Sequence, residues 1–267
     1  MITPAPILHR EEAFHDAWAS GVDPSAVPVR ESFTLPTCPE NRWLFTQLGD
    51  VAGKTVLELG SGLGEAATWF ALHGARVVST DLSGGMLALG RRVAAHHGAS
   101  VHPAQMDGAR LALADASVDV VYGANVLHHV DQARCIAEVY RVLRPGGVAV
   151  FWDPLRYNPV INVYRRMATA VRTEDEHPLG MNDLRLLRRT FQRVDARFFW
   201  LAALGVFVWF YAGLRIHPNA ERYWKKIISD YRAIAPLYRT LAALDAVLLR
   251  VPGLRWWAWN IAVVCRK

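Results

Sequence analysis

Three glycines spaced two apart, Gly60, Gly62 and Gly64, interrupt an apolar run that starts at Val56, and a helical pattern follows from Glu65. A glycine-rich turn between strand and helix lets a ligand lie close to the backbone. Dinucleotides, nucleoside sulfonium cofactors and phosphates all use such turns. A dinucleotide fingerprint needs a third glycine where this chain has Glu65. A carboxylate at the helix start would repel the pyrophosphate that a helix N-terminus otherwise attracts. No Lys-Ser or Lys-Thr follows the glycines, which excludes a Walker-type phosphate loop. The turn therefore suits a ligand without phosphates.

The elements that must hold this turn read as a parallel sheet covered on both faces, with short apolar or β-branched runs alternating with helical patterns from Thr55 to Trp152. Strands are expected at 55–59, 76–80, 100–104, 118–123 and 148–153, and helices from near Glu65, Gly84 and Asp131. Ser83 is placed to cap the second of these, and the Arg-Pro-Gly-Gly stretch 144–147 to end the third. Residues 1–54 read as an irregular or helical lead-in broken by prolines at 24, 28, 36 and 39. Further strands are expected at 193–201 and 257–266.

A chain of 267 residues that is 52% apolar and 20% charged buries a full core, which excludes a disordered protein. Cys38, Cys135 and Cys265 are widely spaced, so neither a disulfide framework nor a zinc knuckle is indicated. The first residues lack the basic start and continuous apolar stretch of a secretory signal, and a cytoplasmic location is expected.

Several stretches in order resemble the class I S-adenosylmethionine-dependent methyltransferases, more narrowly the group similar to the ubiquinone/menaquinone biosynthesis methyltransferases. They are VLELGSGLG (56–64), VVSTDLS (77–83), AQMDGARLALADASVDVVYGANVLHHV (104–130) and EVYRVLRPGGVAVFWDP (138–154). The resemblance covers about residues 40–155 and, more loosely, the terminal strands. It implies an α/β fold with a Rossmann-like seven-stranded sheet whose last strand runs antiparallel beside the fifth, and S-adenosylmethionine as cofactor. Carried onto this chain, it places Gly60, Ser61, Gly62 and Gly64 against the methionine portion, with Glu58 beneath on the ammonium side. Asp81, with Leu82 and Met86 nearby, takes the ribose diol. Asp107, with Met106 and Gly108, takes the adenine amine, and Asn125 lines the cofactor near its methyl. These positions fall at the carboxyl ends of parallel strands, where open α/β sheets bind ligands. The plainer readings are a helix cap for Asp81, loop-amide contacts for Glu58 and a turn role for Asp107.

Methyl transfer from a sulfonium is an in-line displacement, and a general base is needed only when the acceptor must lose a proton. His128, Tyr157 and His177 are the candidates for that chemistry. His129, Asp153, Arg156, Asn158, Tyr164, Arg165 and Phe33 are expected to contact the acceptor. Against this stand a packed or solvated histidine pair, a charged surface loop, a helix cap at Asn158 and a solvated face at Arg165-Arg166. No metal is expected, because His128, His129 and Asp131 do not converge on one point. Residues 30–43 are a lid candidate, with Glu31, Phe33 and Thr34 as its contacts.

Between the last two expected strands the chain inserts about fifty-five residues, far more than a hairpin loop. Three units follow: a lead-in and lid at 1–54, a methyltransferase core at 55–201 plus 257–267, and a helical, aromatic, basic insertion at 202–256. From Arg197 onward there are eleven Lys or Arg against three acids, and six of the ten tryptophans. Phe198 to Leu214 carries no charge, but seventeen residues reach only the lower limit of a bilayer span. Peripheral contact with an anionic membrane through 198–256 and a cap or homo-oligomer surface are both open. Nucleic acid is not expected, since the tail is too apolar to track phosphates. The expected function is methyl transfer to a small or lipophilic acceptor of the quinone, isoprenoid or lipid class. The alternatives are a small polar metabolite, amine or thiol as acceptor, and a catalytically silent cofactor binder.

Overall fold

The computed structural model describes residues 5–172 and 176–267. Seven strands, β1 Thr55–Leu59, β2 Arg76–Asp81, β3 His102–Gln105, β4 Val118–Ala124, β5 Leu143–Pro154, β6 Arg193–Phe199 and β7 Asn260–Arg266, form one sheet in the order β3-β2-β1-β4-β5-β7-β6. The first five are parallel, and β7 runs antiparallel between β5 and β6. The expected α/β methyltransferase fold is the observed one. The order reverses between β1 and β4, the switch point at which an open α/β sheet leaves a crevice at its carboxyl end.

The helices are α1 Ala5–Ser20, α2 Glu31–Thr34, α3 Pro39–Leu48, α4 Glu65–Leu72, α5 Gly84–His96, α6 Gln132–Val142, α7 Pro159–Met167, α8 Met181–Thr190, α9 Gly205–Val208, α10 Tyr223–Ser229 and α11 Tyr231–Leu248. Their starts follow local chemistry. Ser83 accepts from the Met86 amide, Asp131 from that of Arg134, and Asn158 from those of Val160 and Ile161. Each caps a helix that leaves a carboxyl end of the sheet, so the loops over the crevice begin at defined angles.

Alternation along the strands feeds two cores. Val56, Val120, Tyr122 and Val150 face one that also holds Leu44 and Phe70. Leu57, Val121, Ala149 and Phe151 face the other, against Ile136, Val139 and Leu187. The insertion joins the first core: Phe207, Phe210, Tyr223 and Tyr238 are buried there with Trp200 and Trp259. The uncharged run from Phe198 to Leu214 is thus divided into short helical turns with one buried side. No helix among the described residues is long and apolar enough to cross a membrane.

Some boundaries differ from expectation. The stretch 144–147 lies inside β5, where the register against β4 shifts, so α6 ends at Val142. Trp200 takes a φ of +66° and ends β6 early, and Leu254–Trp257 is a 3-10 turn that delays β7 to Asn260. The lead-in holds a sixteen-residue helix before its first interior proline break. All three cysteines are buried and free.

Candidate active site

A cavity of about 360 Å³ opens at the carboxyl ends of β1 to β4. Its end at the glycine turn is lined by Glu58, Gly60, Ser61, Gly62, Asp81, Leu82, Met106, Asp107, Gly108 and Asn125. Gly60 and Gly62 have φ of +74° and +49°, and space is open where a side chain on Gly62 would stand. That is the cradle a ligand backbone contact needs. One Asp81 oxygen accepts from the Gly62 amide at 3.2 Å and from Ser61 Oγ at 3.3 Å, the other from the Ser83 amide at 2.9 Å. Asp81 therefore rims the crevice while bracing its turn. Asp107 accepts from the Ala109 amide at 2.8 Å, and Asn125 is held at a φ of +53°.

Glu58 lies buried under the turn, where it accepts from the Ala67 amide at 3.0 Å and from Ser79 Oγ at 2.5 Å. Burial pushes its carboxyl up to about 8. Gly64 does not line the cavity. Its φ is +85°, and a Cβ there would stand 2.5 Å from the Cα of Gly90, so it serves the approach of α5. Met86, on α5, is likewise fully buried in the core. Glu65 does not present a bare carboxylate at the helix start, because Lys225 of the insertion pairs with it. Repulsion of a diphosphate is accordingly weaker than the sequence suggested.

The other end of the cavity is built around His128. Its Nδ1 lies 2.7 Å from Asp153 Oδ1, which also accepts the His128 amide at 3.2 Å. Its Nε2 lies 3.9 Å from the Glu176 carboxylate. Burial, with His129 adjoining, holds His128 well below the ordinary imidazole pKa, so it is neutral at pH 7. His129 is opposed by burial but raised by the Glu11 carboxylate 3.4 Å away. Arg172 pairs with Glu176, and Tyr164 and Arg165 complete this wall. Ligating atoms of His128, His129 and Glu176 come within 4.8 Å of one another, a different set from the one weighed with Asp131. A cation there would have to displace Arg172 from Glu176.

Several expected contacts stand elsewhere. Tyr157 accepts the Met181 amide at 3.0 Å and packs on Trp256, outside the cavity. His177 is exposed, and only its backbone reaches the site, donating to the His128 carbonyl at 2.7 Å. Arg156 pairs with Asp183, and Asn158 caps α7. Asp153 sits behind His128 and does not line the cavity. Thr173–Asp175 of the charged loop lie outside the described residues. Phe33 lines the cavity and stacks on Trp69 at 5.0 Å, whereas Glu31 and Thr34 face solvent.

The roof is α1 with α10. Glu11, Phe14, His15 and Trp18 line the cavity, at spacings of one helical face that the lead-in sequence does display. Asp16 anchors α1 to the start of α5 by accepting from Ser83 Oγ at 2.5 Å and the Gly85 amide at 2.9 Å. Trp18 meets Trp224 edge-on at 5.7 Å, and the Arg222 guanidinium stands 4.2 Å over its ring. Glu11, Glu176, Arg172 and Lys225 were not singled out from the sequence; the segment 172–180 was expected at the pocket mouth and the insertion as a possible cap, but only packing selects which of their side chains line the crevice.

Residues 57–151 match the family model described as Methyltransferase domain. A Mycolicibacterium smegmatis protein named as an S-adenosylmethionine-dependent methyltransferase is 37% identical over 146 residues, 50% of this chain and 54% of that protein. The chain spans about half or less of the length of the curated relatives it matches first. Among solved structures, the [4+2]-cyclase SpnF superposes with a TM-score of 0.59 at 16% identity, covering 100% of this chain and 97% of that one. Phosphoethanolamine N-methyltransferase 1 of Haemonchus contortus, solved with phosphoethanolamine and S-adenosylhomocysteine, gives 0.59 at 16% identity, over 99% of this chain and 50% of that one. The sheet order is that of the α/β methyltransferase fold, and residues 57–151 within it match a methyltransferase domain. The narrower ubiquinone/menaquinone grouping finds no match among these relatives.

Proposed function

We propose that the protein transfers a methyl group from S-adenosylmethionine to an acceptor that loses a proton, with His128 as general base. The carrying observation is the His128 ring, fixed by Asp153 at Nδ1 and neutral at pH 7, with Nε2 on the cavity wall next to the glycine crevice. Bound S-adenosylmethionine supplies a sulfonium methyl that passes to the acceptor as the C–S electron pair returns to sulfur. The acceptor's O–H or N–H proton passes to His128 Nε2, and Asp153 and Glu176 flank the imidazolium that forms. Residues of α1 and α10 cover part of the cavity and so reduce the access of water to this exchange.

The acceptor we favour is lipophilic, taken up at a membrane surface. Nine of the thirteen exposed large apolar side chains among the described residues lie between Val208 and Trp257, interspersed with exposed Arg215, Arg239 and Arg250. Apolar side chains amid arginines suit an interface with anionic headgroups. Incubation with labelled methyl donor and cell extract, followed by mass spectrometry of aqueous and lipid fractions, tests the reading. A labelled lipid product that requires His128 is expected; no labelled product in either fraction would favour a silent cofactor binder.

A further inference from the structure

We propose that the acceptor carries an oxyanionic head, a carboxylate or phosphate, seated on the guanidinium of Arg165. This rests on the methyl-transfer reading of the same cavity. Arg165 projects from α7 into the cavity wall, whereas its neighbour Arg166 is exposed. Its Nη1 donates to Asn162 Oδ1 at 2.7 Å on the same helix. Its Nη2 is buried and meets no acceptor among the described residues. Burial, with Arg172 adding to it and the Glu176 carboxylate opposing it, lowers Arg165 to about 10.

The nearby carboxylates already face other bases. Glu176 pairs with Arg172, Glu11 lies against His129, and burial pushes the Asp153 carboxyl up to about 8, which makes it a poor counter-ion. The cofactor's sulfonium adds a positive charge, and its carboxylate belongs to the methionine portion assigned to the glycine turn. A buried guanidinium nitrogen left without an acceptor is costly, and that cost is recovered when a ligand oxyanion arrives. Guanidinium presents a planar fork that matches the two oxygens of a carboxylate or two of a phosphate. Phe14, Trp18, Trp224, Ile227 and Ile228 give part of the remaining wall an apolar, aromatic surface, which suits an amphiphile with an acidic head.

Calorimetry on the S-adenosylhomocysteine-loaded protein tests this with octanoate and phenylacetate against their uncharged amides, and with octyl phosphate. The acids are expected to bind at least tenfold tighter than the amides, with the preference lost in Arg165→Leu and partly kept in Arg165→Lys. Octanoate against octyl phosphate distinguishes the two heads. Equal binding of acid and amide, undetectable binding of both, or an acid preference that survives Arg165→Leu overturns the proposal. S-Adenosylhomocysteine affinity is measured in every variant. Its retention shows an intact fold and cofactor site, and its absence from the unaltered protein would instead sink the methyltransferase reading itself.

Discussion

Asp153 Oδ1 lies 2.7 Å from His128 Nδ1, although twenty-five residues separate the two in the chain. The contact exists because β5 and the turn after β4 end side by side, and the shared carboxylate oxygen also takes the His128 amide. Ring and backbone are therefore held together, and Nε2 has one direction left to face. His128→Asn should lower kcat about a hundredfold or more while leaving S-adenosylhomocysteine affinity within twofold. Because burial holds the imidazole below its ordinary range, kcat/KM should be flat from pH 7 to 8 and fall only on the acid side of 6.5. A rise through pH 6.5 to 7.5 would contradict a neutral buried base.

Asp81 touches the glycine turn from one oxygen and the start of α5 from the other. Asp81→Ala should weaken S-adenosylhomocysteine binding tenfold or more, about 1.4 kcal/mol. Calorimetry that returns the unaltered affinity would remove Asp81 from the ribose site.

Gly64 and Gly53 share a left-handed backbone, with φ of +85° and +74°, but only Gly64 faces another backbone. A Cβ on Gly64 meets Gly90 Cα at 2.5 Å, and one on Gly53 meets nothing within 4 Å. Gly53→Ala should cost about 1 kcal/mol of unfolding free energy and Gly64→Ala at least ~2 kcal/mol. Urea unfolding curves for the pair check this difference, and equal midpoints would refute the close approach.

Glu58 keeps its proton up to about pH 8, whereas an unfolded chain releases it near 4.5. The folded state binds the extra proton between those limits, so stability falls as pH rises through that window. Glu40, pushed up to about 7 by burial, acts in the same direction. Glu58→Gln should reduce the loss of stability between pH 6 and 8 by about 1 kcal/mol or more. Chemical denaturation at both pH values measures it; an unchanged difference means that Glu58 is ionised when folded.

Trp209 and Val247 are each about half exposed or more on the insertion. Flotation with anionic vesicles should recover the protein at low salt and lose it at high salt. Trp209→Ser with Val247→Ser should reduce recovery severalfold. Binding indifferent to salt and to both changes would leave the apolar face without a lipid partner.

The strands, the glycine turn and the acids near the ends of β2 and β3 were legible from residue types, while the antiparallel place of the last strand came from the family resemblance. Alternation, helix caps and positive-φ glycines are local properties, and a parallel sheet aligns its strand ends without further instruction. What the chain order hides is which loop side chains converge. Tyr157, His177, Arg156 and Asn158 follow the fifth strand as plausibly as Arg165 does, yet they brace loops or face solvent. Glu11, Trp18, Glu176 and Trp224 come from three distant segments and meet around the crevice. That selection depends on the angles at which α1, α7 and α10 settle on the sheet, set by interlocking of buried surfaces far apart in the chain. The sequence alone thus determined the strands and the glycine-turn rim of the crevice, while tertiary packing decided the opposite wall, since no local pattern records the direction a packed helix turns its side chains.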